Sequence, residues 1–286
     1  MSYKSGMDAN DENGRAQFSA QLRLAVAFLT RLPVESAADD TADDEDAVFE
    51  PGEAPPDLAS TMWLFPLVGF GIGGVGALAL GILAWIGVPA PVAATLAIGV
   101  MIWLTGALHE DGLSDIADGF GGGGDRERKL EIMRDSRLGA YGAVTLAIVV
   151  VAKIAALATI AAHDVGAAAG ALIAATVWSR ALIAPTVRWL ESARDDGLGA
   201  NAGKPTEGDG WKGLGLAVLL VLLVLITPAG FGVVTVLVAG GLGAFAVGLL
   251  ALRQIGGYTG DVLGAGVTIA ETAALVAASA ILSGSI

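Results

Sequence analysis

Residues 141–162 read YGAVTLAIVVVAKIAALATIAA, an apolar run in which Lys153 is the one charged residue. A helix of about 20 such residues is long enough to cross the hydrocarbon core of a bilayer. Six further runs are comparably long and apolar, at 62–86, 90–108, 166–190, 213–229, 231–252 and 263–284. The sequence therefore predicts an all-α fold, a polytopic membrane helix bundle with about six or seven transmembrane helices.

The composition argues against several other classes of protein. Of the 286 residues, 54% are hydrophobic and 16% are charged, whereas a soluble domain has about a quarter of its residues charged. The net charge of −13 would repel phosphate backbones, so we expect no nucleic-acid partner. The chain contains no Cys, which excludes disulfides, thiolate catalysis and Cys-ligated zinc.

The basic residues fall on one side of the predicted membrane. Three pairs of apolar runs are joined by short turns without Lys or Arg, near 87–89, 163–166 and 228–230. If the crossings alternate, all but two of the 16 basic residues lie on the side opposite these turns, which the positive-inside rule makes cytoplasmic. We therefore expect a multi-pass protein of the cell membrane whose N-terminus lies inside.

Lys153 and Arg180 are the two basic residues within predicted spans. Arg180 lies roughly ten residues from the cytoplasmic end of its run, about 15 Å at the helical rise, which is too far for easy snorkelling. Since buried charge in lipid is costly, we expect Arg180 to be paired or to bind substrate. The role of Lys153 stays open at this stage.

The first 60 residues form a segment of their own, before a transmembrane catalytic domain at 61–286. Residues 17–34 predict a short interfacial or packed helix, because Arg23 and Arg31 flank its apolar residues. Residues 39–57 are acidic and contain Pro and Gly, which predicts a solvated, disordered loop. The start of the chain lacks a basic stretch followed by an apolar core, so we do not expect a cleaved signal peptide.

The segment 105–142 reads TGALHEDGLSDIADGFGGGGDRERKLEIMRDSRLGAYG. Asp111, Asp115 and Asp118 are spaced i, i+4, i+7, which places them within an arc of about 60° on a helix. Carboxylates this close repel each other unless a cation lies among them, and Mg²⁺ often combines carboxylates with substrate phosphate. A solvated acidic helix face is the alternative. We expect Gly112 and Gly119 to interrupt the helix where a ligand approaches the backbone, which favours a metal site.

Further polar residues accompany the aspartates on the same predicted side. Arg134 and Arg137 bracket Asp135 just before a span, a placement suited to forked hydrogen bonds with phosphate. Asp261 begins the last apolar run and is either a helix cap or part of the site. His109 is suited either to acid–base catalysis or to an interfacial hydrogen bond. We therefore take Arg134, Asp135, Arg137, Asp261 and His109 as candidate site residues.

These motifs resemble those of the cobalamin 5′-phosphate synthase family, the adenosylcobinamide-GDP ribazoletransferases. The resemblance rests on FLTRLPV at 28–34, FPLVG at 65–69, TGALHEDGLSDIADG at 105–119, DRERKLEIMRDSRLGAYG at 125–142 and GGYTGDVLGA at 256–265. It implies a membrane enzyme of late cobalamin biosynthesis that joins adenosylcobinamide-GDP to α-ribazole or its 5′-phosphate, with Mg²⁺, and releases GMP. Asp111, Asp115 and Asp118 are then implied to bind the metal and handle the pyrophosphate. The family usually has Gly and an apolar residue where this chain has Ala107 and Glu110.

Two other functions stay open on the sequence alone. CDP-alcohol phosphotransferases of phospholipid synthesis also use clustered aspartates, and residues 115–119 match the first half of their signature, but the Ala-Arg that should follow is absent. A membrane transporter would line a path with charges, yet the charged motifs here cluster at one surface rather than at the midplane. The sequence does not fix the oligomeric state, and it is compatible with a homo-oligomer.

Overall fold

The computed structural model describes residues 3–34, 57–194 and 203–284, and the regular secondary structure in these ranges is entirely helical. The helices are α1 (Tyr3–Leu29), α2 (Leu58–Thr61, followed by a 3-10 turn at Met62–Leu64), α3 (Phe65–Trp85), α4 (Ala90–Thr105), α5 (Leu108–Gly122), α6 (Arg126–Ile132), α7 (Ala140–Ala161), α8 (Val165–Ala181), α9 (Ile183–Trp189), α10 (Glu207–Ala229), α11 (Gly232–Ile255) and α12 (Gly260–Leu282). The all-α prediction is confirmed.

Several of these helices are suited to crossing a membrane. In the described ranges, six stretches are long and apolar enough: Leu58–Trp85, Ala140–Ala161, Val165–Trp189, Glu207–Ala229, Gly232–Ile255 and Gly260–Leu282. A seventh crossing would require α4 and α5 to act together as one broken span, since they are bent by 88°. The fold is thus a multi-pass membrane bundle of six or seven spans, as predicted.

The second predicted span is not the single helix that its hydropathy suggested. α4 ends after 16 residues, because Gly106 (φ 66°) and Ala107 (φ 58°) both adopt the left-handed conformation. For Ala107 this conformation costs about 1–2 kcal/mol, so the surrounding structure must hold it. Part of that support comes from Arg31, whose backbone N–H donates to the Leu104 carbonyl at 2.8 Å and whose side chain packs over Gly106.

Small residues bring α3 and α8 together at the centre of the bundle. A Cβ atom on Gly69 would lie 2.7 Å from the carbonyl oxygen of Thr176, and one on Gly73 would lie 2.8 Å from the Cα of Ile173. The spacing of these glycines therefore serves close helix packing. α8 is the most buried of the spanning stretches, so the core of the bundle surrounds it.

The N-terminal helix differs in its bounds from the prediction of 17–34. α1 begins at Tyr3 and ends at Leu29, because Pro33 disfavours helical geometry in the residue before it. Its last turn packs on the bundle: Leu29 is buried, and the ring of Phe28 stacks on Phe65 at a centroid distance of 5.8 Å. α1 is not among the spanning stretches of the described chain. Residues 35–56, which include most of the predicted acidic loop, lie outside the described residues.

Candidate active site

The three predicted carboxylates lie on one continuous helix, α5 (Leu108–Gly122). Asp111 is exposed, and Asp115 and Asp118 are partly exposed. Asp115 lies within electrostatic range of both of the others. The structure therefore brings these three residues, hereafter the α5 carboxylates, into one neighbourhood.

Gly112 and Gly119 do not interrupt α5, and that prediction was wrong. A Cβ atom on Gly112 would lie 2.7 Å from the carbonyl oxygen of Asp261 and 2.9 Å from its Cα. On Gly119 it would lie 2.6 Å from Cγ of Met133 and 3.0 Å from the carbonyl oxygen of Lys129. Both glycines therefore allow neighbouring segments to approach α5 closely, which a single helix viewed alone cannot reveal.

Asp261 joins the α5 carboxylates from the first turn of α12. Thr259 caps this helix, since its hydroxyl accepts a hydrogen bond from the N–H of Val262 at 3.3 Å. The same hydroxyl donates to Oδ2 of Asp261 at 3.1 Å, which orients the carboxylate. Asp115 lies within electrostatic range of Asp261. Asp261 therefore lies in the same neighbourhood as the α5 carboxylates.

Both carboxylate oxygens of Asp118 accept hydrogen bonds from backbone N–H groups. Its Oδ2 accepts a hydrogen bond from the N–H of Gly139 at 2.8 Å, and its Oδ1 accepts one from Gly142 at 2.9 Å. Gly139 is the N-cap of α7 and has no side chain of its own to cap the helix, so Asp118 caps α7 from a different helix. Asp111 and Asp115 are left as the α5 carboxylates best able to offer their oxygens to a ligand.

Arg194 is a further candidate site residue that was not among those predicted from the sequence. Its Nη1 lies 3.6 Å from Oδ2 of Asp261, and its Nη2 donates to the carbonyl oxygen of Leu130 at 3.1 Å. It is also close enough to act electrostatically on Asp115. Its place just after a span was visible in the sequence, but its partner is 67 residues further along the chain. A guanidinium beside this acidic group is suited to holding a phosphate oxygen.

Basic residues of α6 donate hydrogen bonds to the segments next to Arg194 and Asp261. Arg126 donates from Nε to the carbonyl oxygen of Ile255 at 2.9 Å and from Nη2 to that of Ala193 at 2.6 Å. Nζ of Lys129 donates to Oε1 of Gln254 at 2.5 Å. The Arg126 contact satisfies a carbonyl at the C-terminal end of α11, where cations are favourable. These contacts fix the end of α11 and residues 191–194 at the candidate site.

The predicted phosphate-binding residues lie in the connection between α6 and α7. Arg137 donates to Asp135 through Nε at 3.0 Å and through Nη2 at 2.5 Å, and these hydrogen bonds hold the pKa of Asp135 at about 2. Arg134 is exposed in the same connection. The connection lies near Asp118 through the contact with Gly139, so these residues belong to the same end of the bundle.

His109 and Arg180 are buried, unlike the α5 carboxylates. Arg180 is buried and donates through Nη1 to Oε2 of Glu271, which lies ten residues beyond Asp261 on α12. That separation corresponds to about 15 Å along a helix. His109 is also buried, and its electrostatic neighbours are Arg180, Glu271 and Lys153. Arg180 is therefore paired, one of the two outcomes expected for it.

The acidic group fits a hard divalent cation in its chemistry. Asp111, Asp115 and Asp261 offer carboxylate oxygens from two helices, and oxygen is the ligand that Mg²⁺ prefers. Within the described residues, however, no three acidic or His side chains form a ready-made metal site. Such an arrangement is suited to a cation whose remaining ligands come from a bound phosphate.

Comparisons with known proteins point to one family. The family model for cobalamin-5-phosphate synthase matches residues 21–279. A protein of Azorhizobium caulinodans named adenosylcobinamide-GDP ribazoletransferase is 42% identical over 260 residues, 90% of this chain and 94% of the relative. Proteins with the same name from Mesorhizobium japonicum and Bradyrhizobium diazoefficiens are 42% and 40% identical, each over 93% of this chain and 95% of the relative.

No solved structure matches the chain. The family match extends from α1 almost to the end of α12, and includes both helices that supply the candidate carboxylates. The chain therefore belongs to the cobalamin-5-phosphate synthase family.

Proposed function

We propose that this protein is an integral membrane transferase that joins adenosylcobinamide-GDP to α-ribazole or α-ribazole 5′-phosphate. The products are adenosylcobalamin, or its 5′-phosphate, and GMP. The main support is the meeting of the α5 carboxylates with Asp261 and Arg194 at one end of the bundle, in a chain whose relatives are named for this transfer.

The reaction is a displacement at phosphorus. A hydroxyl oxygen of the ribazole forms a bond to the phosphorus that carries the cobinamide, and the bond from that phosphorus to the bridging oxygen of the diphosphate breaks. The bridging oxygen leaves with GMP. The hydroxyl proton passes to a carboxylate, for which Asp111 and Asp115 are the candidates, because the oxygens of Asp118 are bound to backbone amides.

Phosphate charge must be balanced for this displacement. Arg194 is placed to hold a phosphate oxygen, since its guanidinium lies beside Asp261. Arg134 and Arg137 lie in the α6–α7 connection and are candidates for the guanosine side of the diphosphate. A Mg²⁺ ion held by Asp111, Asp115 and Asp261 would neutralise negative charge on the diphosphate and on the leaving GMP.

We infer that the end of the bundle with the α5 carboxylates faces the cytoplasm. The turns between α3 and α4, α7 and α8, and α10 and α11 contain no Lys or Arg. The basic residues of α6 and of the segments near 194, 212 and 253 belong to the opposite end, which the positive-inside rule directs inward. Substrates made in the cytoplasm would then reach the site without crossing the bilayer.

The test is a reconstituted reaction. Protein purified in detergent is given adenosylcobinamide-GDP, α-ribazole and Mg²⁺, and GMP release and corrinoid products are measured. We expect stoichiometric GMP and cobalamin, and no product from an Asp111→Asn variant prepared in parallel. Folded protein that releases CMP from a CDP-alcohol instead, or that moves solute across liposomes without releasing GMP, would contradict the proposal.

A further inference from the structure

Four charged side chains meet inside the bundle, where they are buried, unlike the α5 carboxylates. They come from four helices and are almost inaccessible, with exposed fractions of 8% for Glu110 of α5, 2% for Lys153 of α7, 4% for Arg180 of α8 and 2% for Glu271 of α12. Nζ of Lys153 lies 2.9 Å from Oε1 of Glu271 and 3.4 Å from Oε1 of Glu110. Arg180 contacts the second oxygen of Glu271. We call these four residues the buried charge cluster.

The positive and negative charges of the buried charge cluster cancel only when all four residues are present. Two carboxylates face two cations, and Lys153 is the member that contacts both carboxylates. A buried charge that loses its partner is strongly destabilising, whereas removal of a matched pair is close to neutral. The loss of Lys153 alone therefore leaves Glu110 without its cation, while the loss of Glu110 and Lys153 together leaves the Arg180–Glu271 pair intact.

The contact between Lys153 and Glu110 acts on a helix start that has no side-chain cap of its own. The N-cap of α5 is Ala107, which is in the left-handed conformation and makes no side-chain capping hydrogen bond. Glu110 lies in the first turn of α5 and is bound to α7 through Lys153. Asp118, near the other end of α5, is bound to the start of α7.

α5 is thus attached to α7 at two points, and Asp111 and Asp115 lie between them. We propose that Glu110 and Lys153 are positioning residues that fix the first turn of α5, and with it the placement of Asp111 and Asp115 against Asp261. The proposal rests on the proposed function only for its activity measurement, because the position of α5 can be measured independently.

The test compares Lys153→Met with the double variant Glu110→Gln/Lys153→Met. Val149→Ala is the matched control, because Val149 is a buried apolar residue one turn earlier on α7. Since the chain has no Cys, cysteines introduced at Leu108 and Val276 can carry spin labels. Both positions are exposed, and the distance between them reports where the start of α5 lies relative to α12.

We expect Lys153→Met to shift or broaden the Leu108–Val276 distance and to reduce GMP release per folded molecule by about tenfold or more. The double variant should regain a thermal midpoint close to that of the wild type, because no buried charge is left without a partner. It should keep the altered distance and the reduced turnover, because α5 and α7 are still not joined at Glu110. Val149→Ala should keep the wild-type distance and turnover. A purely structural role would lower the thermal midpoint of Lys153→Met but leave the distance and the turnover of its folded fraction unchanged.

That structural outcome, or a double variant with the wild-type distance and turnover, would overturn the proposal. If Lys153→Met yields no folded protein, the double variant decides: an altered distance with reduced turnover supports the proposal, and the wild-type distance and turnover contradict it. If the wild-type protein releases no GMP, the proposed function fails while the distance measurement still tests the positioning of α5.

Discussion

Replacing Gly112 by Ala should impair activity far more than stability. The new methyl carbon would lie 2.7 Å from the carbonyl oxygen of Asp261 and 2.9 Å from its Cα, whereas ordinary contact begins at 3.4 Å. Both obstructing atoms belong to the backbone, so no side chain can rotate away. α5 and α12 must therefore separate by about 0.5–0.7 Å at this point.

The two free-energy contributions of Gly112→Ala oppose each other. Overpacking costs about 1–3 kcal/mol, and the better helix propensity of Ala returns about 1 kcal/mol, so we expect a net destabilisation of about 0–2 kcal/mol. Activity has no such compensation, because the same separation moves Asp111 and Asp115 away from Asp261. A misplacement of about 1 Å can cost about 100-fold, so we expect kcat/KM to fall by about 10- to 100-fold.

The assay is GMP release per folded molecule, with the thermal midpoint measured in the same detergent. Gly266→Ala is the control, because Gly266 lies on α12, the helix that Gly112 of α5 contacts, and a Cβ atom there would meet nothing within 4 Å. Folded Gly112→Ala protein with wild-type kcat/KM would refute the argument that the approach of α5 to α12 sets the site.

Three further predictions concern the carboxylates and the cation. Asp111→Asn and Asp115→Asn should each abolish GMP release while the protein stays folded in detergent, and full activity in both would remove their assigned role. Asp118→Ala should lower the stability by about 0.5–2 kcal/mol, because α7 loses its cap; an unchanged thermal midpoint would argue against capping. Chelation with EDTA should stop GMP release and added Mg²⁺ should restore it, whereas an undiminished rate in EDTA would exclude the proposed cation.

The spans and the spacing of the aspartates were predictable because both depend on neighbouring residues. Hydropathy over about 20 residues is a property of one helix, so the apolar runs matched the spans in all cases but one. The exception is α4, which ends where Gly106 and Ala107 adopt the left-handed backbone conformation. Nothing in its hydropathy could show that, because the bend depends on support from Arg31.

The roles of individual charges were harder to predict. Arg180 was expected to be paired or to bind substrate, and the structure pairs it with Glu271. Lys153 was left open, and it proved to bridge two carboxylates. A charged residue within a span is expected to have a partner. The identity of that partner depends on which helix faces it.

The chain's own pattern of residues was enough to establish a membrane bundle, an acidic face on one helix and membership of a family. The packing added the tie between Asp118 and α7, the approach of Asp261 to Gly112, and the place of Arg194 beside Asp261. Periodicity repeats over a few residues and is encoded locally. Contacts between residues tens to more than a hundred positions apart depend instead on how the helices cross, which no short window of sequence records.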